Sequence, residues 1–132
     1  MTLTTSIDHI GLTVGDLEKS VKFFGELLGW SVCGGDEAYP SCYLENGAAK
    51  ITLWQAKTDT PRSFDRHSNI GLHHLALSVA SQEQLISLFG QVSEWPGVSV
   101  EFAPEPSGSG PKWHFMFTEP GGCRLEVCFD PR

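Results

Sequence analysis

The segment Gly71-Leu72-His73-His74-Leu75-Ala76-Leu77-Ser78-Val79 decides the fold, because the chain contains an earlier version of it, Ser6-Ile7-Asp8-His9-Ile10-Gly11-Leu12-Thr13-Val14. A shift of 65 residues lays His74 on His9, and the same shift lays Trp95 on Trp30. An internal repeat of this kind indicates two copies of one folding unit. In both copies apolar residues alternate with others, as in a strand with one buried face. His9 and His74 are therefore expected at equivalent places in equivalent strands.

The first half of the chain is predicted to form a strand, a helix and three further strands. The first strand covers residues 7–14, and Asp16 is placed to cap a helix whose apolar stripe ends before Gly29. The other strands are expected around Trp30–Cys33, Ser41–Glu45 and Ala49–Trp54, with turns at Gly34-Gly35 and Asn46-Gly47. This order is a βαβββ unit.

The second half repeats the order after a polar connector at residues 57–69. Ser81 and Gln84 form a capping box before a second helix. Strands are expected at 72–79, Val98–Phe102, Lys112–Thr118 and Cys123–Phe129, and residues 104–111 are expected to form a Pro/Gly/Ser loop that is either a lid or a surface insertion. We predict one α+β domain over residues 1–132, with module 1 at about 5–56 and module 2 at about 70–130.

Composition excludes several classes of protein. The chain has 132 residues, of which 40% are hydrophobic, and no apolar run is long enough to span a bilayer. A net charge of -7 argues against nucleic-acid binding. The N-terminus lacks the pattern of a signal peptide, so we expect a cytoplasmic protein whose four cysteines stay reduced.

Three polar residues interrupt the apolar strands and predict a metal site. Beyond the 104–111 loop the repeat shift becomes 74 residues, which places Glu126 where the first half has Thr52. Glu126 is expected on the strand face opposite its apolar neighbours, as are His9 and His74. Two imidazoles and one carboxylate on one hollow would form a facial triad with open positions for substrate oxygens.

The last hairpin suggests a further site residue. A three-residue loop at 120–122 would bury Phe115 and Phe117 and would place His114 and Met116 on the face of Glu126. Burial of each phenylalanine is worth roughly 1.5–3 kcal/mol, which favours this register. His114 then becomes a candidate general acid or base, because an imidazole titrates near neutrality.

Other polar residues receive weaker assignments. Trp54 shares a strand face with Thr52 and is expected either to line a pocket for a planar substrate or to pack in the core. Arg124 shares the face of Glu126 and is expected either to bind an anionic group or to form a surface ion pair. His67, in the connector, and His73, which alternation places opposite His74, are predicted to lie outside the site.

The segments Asp8-His9-Ile10, Gly71-x-His73-His74-Leu75-Ala76 and Glu119-Pro120-Gly121-Gly122-x-Arg124-Leu125-Glu126 resemble the signatures of the vicinal oxygen chelate superfamily, which includes glyoxalase I, bleomycin-resistance proteins, fosfomycin-modifying enzymes and extradiol dioxygenases. The resemblance covers nearly the whole chain. It implies paired βαβββ modules whose mixed sheet forms a cup with helices on the outer face, and His9, His74 and Glu126 at the metal-ligand positions. Thr52 stands where glyoxalase I has an acidic ligand, and Met116 where extradiol dioxygenases have a tyrosine.

The resemblance leaves two functions open. The first is an enzyme that uses Fe, Mn, Ni, Zn or Mg to bind a small substrate through vicinal oxygens. Its two-His, one-Glu site is most similar to that of the extradiol dioxygenases, and lyase or isomerase chemistry is the other possibility. The second is a metal-free binding protein similar to the bleomycin-resistance proteins, which the net charge of -7 and Trp54 would suit. In both cases the resemblance implies a homodimer whose cup comes from one chain or from modules exchanged between two.

Overall fold

Each half of the chain folds into its own four-stranded mixed sheet with one helical segment. The computed structural model describes residues 1–132, which divide into a first unit, Met1–Pro61, and a second unit, Arg62–Arg132. The predicted α+β class and the repeated βαβββ order are confirmed. None of the helices has the length and apolar character needed to cross a bilayer.

The first unit contains strands β1 (Ile10–Val14), β2 (Ser31–Asp36), β3 (Ser41–Glu45) and β4 (Lys50–Gln55), in the sheet order β1-β4-β3-β2. Helix α1 (Leu17–Lys22) begins where predicted, since the Asp16 carboxylate accepts a hydrogen bond from the Lys19 amide at 3.1 Å. The helix continues as a π-helical turn, Phe23–Leu27, in which Phe23 and Phe24 are both fully buried. The wider turn brings two adjacent aromatic rings into the core.

The second unit contains β5 (Leu75–Ser78), α2 (Gln82–Glu94), β6 (Ser99–Pro106), β7 (Trp113–Thr118) and β8 (Arg124–Phe129), in the sheet order β5-β8-β7-β6. Half of the predicted capping box is present, because the Ser81 hydroxyl accepts from the Gln84 amide at 3.1 Å. The Gln84 side chain accepts from the amide of Ala80, the residue before the N-cap, rather than from that of Ser81. Strand β5 is parallel to β8, and the other pairs are antiparallel.

The strand registers place equivalent residues of the two units at equivalent points. Gly11 of β1 lies opposite Thr52 of β4, and Ala76 of β5 lies opposite Glu126 of β8. The repeat shifts of 65 and 74 residues therefore describe real structural equivalence. The two units differ at this point, because Thr52 has a hydroxyl group where Glu126 has a carboxylate.

Some predicted boundaries are wrong. Strands β1 and β5 begin at Ile10 and Leu75, because Ile7 and Leu72 are exposed and have no sheet partner. The Gly34-Gly35 pair lies inside β2 beside a bulge rather than in a turn. Likewise, the first part of the expected 104–111 loop is strand, since irregular pairing carries β6 through Pro106, opposite Trp113. The remaining loop begins at Ser107, whose amide donates to the Lys112 carbonyl at 2.8 Å.

Candidate functional site

Glu126 lies in β8, an interior strand of the second sheet. Its register partners are Ala76 on one side and Met116 on the other. Leu125 and Val127 are fully buried on the opposite face, as alternation along a strand requires. Glu126 is only 8% exposed, so its charge must be balanced by protein groups or by a bound cation.

Two histidines contact the two oxygens of this carboxylate. Nδ1 of His114 lies 2.5 Å from Oε2, and Nε2 of His74 lies 3.5 Å from Oε1. An ionised carboxylate only accepts hydrogen bonds, so His114 donates from Nδ1. Burial by itself would raise the pKa of Glu126, but the hydrogen bond and charge of His114, together with His74, bring that pKa below its ordinary value. Glu126 is therefore a carboxylate at neutral pH.

The predicted hairpin register accounts for the position of His114. Phe115 lies opposite Val127, and Phe117 lies opposite Leu125, so the phenylalanines share the buried face. The Glu119 amide donates to the Cys123 carbonyl at 2.9 Å, which closes the expected three-residue loop. The register prediction is confirmed, and it turns His114 and Met116 towards the face of Glu126.

Two further groups border the pair formed by His114 and Glu126. Nε2 of His114 lies 4.0 Å from Oε1 of Glu105, a half-exposed residue of β6. The Cys128 thiol donates to Oε1 of Glu126 at 3.6 Å. Burial, followed by the charge of Glu126, raises the pKa of Cys128 to about 11. This thiol is protonated at neutral pH and acts as a weak donor to the site.

Arg124 forms the ion pair that was one of its two predicted roles. Its Nε and Nη2 atoms donate to the two oxygens of Glu101 at 2.8 and 2.7 Å. The hydrogen bonds to Glu101 raise the pKa of Arg124, and the same bonds lower the pKa of Glu101. The remaining nitrogen, Nη1, lies 3.2 Å from Nδ1 of His73.

His73 is a residue that the strand pattern missed. Its Nδ1 lies 2.8 Å from Nδ1 of His74, although alternation predicted opposite faces. Alternation fails here because β5 begins only at Leu75, so neither histidine belongs to the regular strand. Burial and then the charge of Arg124 lower the pKa of His73, which is therefore neutral at neutral pH.

The first unit holds the other predicted residues. His9 lies just before β1, and its Nδ1 is 2.7 Å from Oδ2 of Asp8. Trp54 donates from Nε1 to Oγ1 of Thr52 at 2.9 Å. A Cβ atom at Gly11 would lie 3.3 Å from the Thr52 hydroxyl and 3.5 Å from the Trp54 nitrogen, so these positions share one face.

Trp54 also belongs to an aromatic cluster. Its ring centroid lies 5.0 Å from that of Tyr39 and 5.7 Å from that of Tyr43. The Lys57 ammonium lies 3.7 Å from the Tyr39 ring centroid, a distance at which a cation is attracted to a ring face. Trp54 is partly exposed, so it presents aromatic surface to solvent.

The predicted residues thus form separate sets. The second unit brings His74, His114 and Glu126 into contact, while His9, Thr52 and Trp54 belong to the first unit. No group of three or more His, Cys, Asp or Glu side chains is arranged to hold a metal ion. The three-ligand set therefore stays a prediction.

The chain consists of two βαβββ units, and each unit has a histidine ring beside a carboxylate. These features define its class as an α+β protein built from a repeated module. The model of the Glyoxalase/Bleomycin resistance protein/Dioxygenase superfamily matches residues 6–127, and the chain belongs to that superfamily.

Individual relatives have different activities. A 2-epi-5-epi-valiolone epimerase from an Actinomyces species is 28% identical, with coverage of 92% of this chain and 78% of the relative. The glutathione transferase FosA of Serratia marcescens is 29% identical, with coverage of 92% and 79%. A glyoxylase/bleomycin resistance protein/dioxygenase domain from Frankia sp. EAN1pec has the same fold, with a TM-score of 0.77 at 24% identity over 98% of this chain and 94% of that one.

Proposed function

We propose that this chain is a divalent-metal-dependent enzyme that acts on a small substrate with vicinal oxygens, and that His9, His74 and Glu126 hold the metal. The observation that supports the proposal is the pair formed by His74 Nε2 and Glu126 Oε1, 3.5 Å apart. An imidazole nitrogen and a carboxylate oxygen are donors that Fe, Mn, Ni and Zn accept, whereas Mg prefers oxygen. These two donors fit part of such a site, and His9 is the proposed third ligand because it precedes β1 as His74 precedes β5.

The low exposure of Glu126 supports a cation at this place. A buried carboxylate is costly unless a positive charge or several hydrogen bonds balance it. His114 supplies one hydrogen bond to Oε2, which leaves Oε1 with the weak Cys128 donor and the more distant His74. A divalent ion bound to Oε1 would complete the balance.

The residues around Glu126 have distinct proposed roles. When bound, the metal would polarise two adjacent oxygens of the substrate and so acidify a neighbouring C–H or O–H bond. His114 orients the Glu126 carboxylate through Nδ1 and is the proposed general acid or base of the site. Met116 and Arg124 on this face, with Thr52 and Trp54 of the first unit, are the proposed pocket residues.

Proton-transfer chemistry, as in a lyase or isomerase, is the arm of the proposal that the relatives support better. One of them is an epimerase, and epimerisation of a carbon beside a carbonyl group can proceed by removal and return of a proton. His114 carries an exchangeable proton at the site, while Met116, directly opposite Glu126, carries none. Extradiol cleavage of a catechol-like substrate is the other arm.

The test begins with the metal. Wild-type protein is stripped, reloaded separately with each candidate metal and assayed for bound ion, with Glu126→Gln and His74→Gln as site variants. His67→Gln is the matched control, since His67 is exposed and contacts only Asp65. We expect one ion per chain in the wild type and control, and at least 100-fold weaker binding in both site variants, as expected for loss of a ligand rather than of its surrounding shell. Equal binding by all four proteins would refute the proposed ligands.

The reaction arms are then separated with the loaded enzyme. A panel of 2-hydroxy ketones in D2O reports proton exchange by mass spectrometry, and a panel of catechols with dioxygen reports ring cleavage by absorbance. We expect exchange with at least one hydroxy ketone, and loss of that exchange in His114→Gln. Catechol cleavage without exchange would favour the dioxygenase arm.

A metal-free binding protein is the second candidate, and the aromatic cluster of Tyr39, Tyr43 and Trp54 favours it. Aromatic faces and an acidic protein suit a planar cationic ligand. A cationic glycopeptide would be titrated against metal-free protein while tryptophan fluorescence is recorded. If the protein is of this kind, we expect micromolar binding that is lost in Trp54→Leu and kept in Trp95→Leu. Absence of binding by the wild type would refute this second function.

The proposal includes a homodimer, which the metal titration can also examine. If modules are exchanged between chains, His9 of one chain joins His74 and Glu126 of the other, and dilution to monomer removes the metal. If they are not exchanged, a diluted monomer keeps its metal.

A further inference from the structure

A chain of four side chains ends at the ring of His74. Both oxygens of Glu101 hold the Arg124 guanidinium at 2.7 and 2.8 Å. Nη1 of Arg124 lies 3.2 Å from Nδ1 of His73, and that same nitrogen lies 2.8 Å from Nδ1 of His74. Nε2 of His74 faces the Glu126 carboxylate.

The donor at one end of this chain fixes the hydrogens along it. Nη1 of Arg124 lies 3.2 Å from Nδ1 of His73 and donates to the His73 carbonyl at the longer distance of 3.5 Å. A guanidinium has only N–H donors, so the shorter contact is a hydrogen bond only if Nδ1 of His73 is an acceptor. Nδ1 of His73 then carries no hydrogen, and the short contact with His74 requires the hydrogen to lie on Nδ1 of His74. In a neutral ring this leaves the lone pair of His74 on Nε2. Oε1 of Glu126, which only accepts, lies 3.5 Å from that nitrogen and by itself favours a hydrogen there. The contact between the two Nδ1 atoms is much shorter, at 2.8 Å, and therefore decides the tautomer.

We propose that Arg124 and His73 are positioning residues that hold His74 in the tautomer protonated at Nδ1, so that Nε2 is the nitrogen presented to the site. The consequence for metal binding rests on the proposed function, because only a bare Nε2 binds a metal. The tautomer itself does not depend on a metal. Without Arg124, the two histidines could exchange donor and acceptor roles, and Nε2 of His74 would carry a hydrogen for part of the time.

In the first unit, Asp8 holds His9 in the same tautomer, protonated at Nδ1. Asp8 occupies the repeat position of His73, and its carboxylate lies 2.7 Å from Nδ1 of His9. A carboxylate accepts only, so it selects the Nδ1-protonated ring of His9 without help. An imidazole at the equivalent place can either donate or accept, which explains why His73 needs a fixed cation behind it.

The test measures the tautomer in metal-free protein by NMR of histidines labelled with 15N. Two-bond couplings from the ring carbon protons identify which nitrogen of His74 carries the hydrogen. We expect Nδ1–H in the wild type and a mixture of tautomers in Arg124→Met. Arg66→Met is the matched control, since Arg66 also approaches Glu101, at 3.9 Å, but forms no hydrogen bond to His73. An unchanged His74 tautomer in Arg124→Met would overturn the proposal.

Variants of His73 provide a second measurement if Arg124→Met fails to fold. His73→Asn offers a side-chain oxygen as acceptor and should preserve the Nδ1–H form of His74, while His73→Leu offers none and should lose it. Loss of the form in both variants, or in neither, would contradict the role of His73.

Metal titration of the same proteins distinguishes a failure of the proposed tautomer from a failure of the proposed metal site. We expect Arg124→Met and His73→Leu to bind metal about 10- to 100-fold more weakly than the wild type, as for other residues that orient a metal ligand. A wild type that binds no metal but has the expected tautomer refutes the proposed function and leaves the role of Arg124 and His73 intact. Normal metal affinity in Arg124→Met despite mixed tautomers refutes the link between them.

Discussion

Replacing Glu119 by alanine should destabilise the hairpin that carries His114 and Glu126. Glu119 is 1% exposed, and its carboxylate accepts from the Gly121 amide at 2.7 Å and from the Cys123 amide at 3.2 Å. Hydrogen bonds to a charged group contribute about 1.5–3 kcal/mol each, so loss of both should cost about 3–6 kcal/mol of unfolding free energy. That is a large part of the roughly 5–15 kcal/mol by which domains are stable.

The repeat provides the matched control. Glu45 is the equivalent residue of the first unit, but it is exposed, and Asn46 holds its turn by accepting from the Ala48 and Ala49 amides at 3.1 and 2.9 Å. Urea denaturation should therefore give a change within about 0.5 kcal/mol for Glu45→Ala. Glu119→Gln keeps one oxygen acceptor and should lose about half as much as Glu119→Ala. A loss below about 1 kcal/mol in Glu119→Ala would refute this account of the hairpin.

Two other predictions concern titratable groups. The pKa of Glu101 is lowered by its hydrogen bonds from Arg124, so the ion pair contributes its full stability above the ordinary pKa of 4.5. That stability is lost as the pH falls through the lower pKa of the folded state. Acid titration followed by circular dichroism should show a steeper loss of folded protein below pH 4.5 in the wild type than in Glu101→Gln, and parallel curves would contradict the prediction. Burial is the main reason that the pKa of Cys123 is raised to about 12 and that of Cys128 to about 11. Iodoacetamide should therefore label the exposed Cys33 first in native protein, as followed by mass spectrometry. Labelling of Cys128 as fast as Cys33 would contradict the prediction.

The repeat made much of the fold predictable. Shifts of 65 and then 74 residues aligned the strands, helices and turns of the two halves. The hairpin register followed from the need to bury Phe115 and Phe117. That register placed His114 beside Glu126, as the contact of Nδ1 with Oε2 confirms. Alternation along strands and the preference of aromatic rings for the core are strong, local constraints, so sequence is sufficient where they apply.

Prediction failed where the backbone departs from regular geometry. Alternation gave His73 the wrong side because the strand starts after it, and bulges allowed β6 to continue through Pro106. The π-helical turn after Lys22 also has no clear signal in the apolar spacing. The partnership of His73 with Arg124 joins residues 51 positions apart, and no local pattern reports such a contact.

The most direct measurement of the central claim is pulsed electron paramagnetic resonance on Mn2+-loaded protein with 15N-labelled histidine. We expect the ion to couple to two histidine nitrogens in the wild type and in His67→Gln, and to one in His9→Gln and in His74→Gln. A bound ion with no histidine coupling, or with coupling unchanged in both ligand variants, would contradict the claim that His9 and His74 share one metal with Glu126.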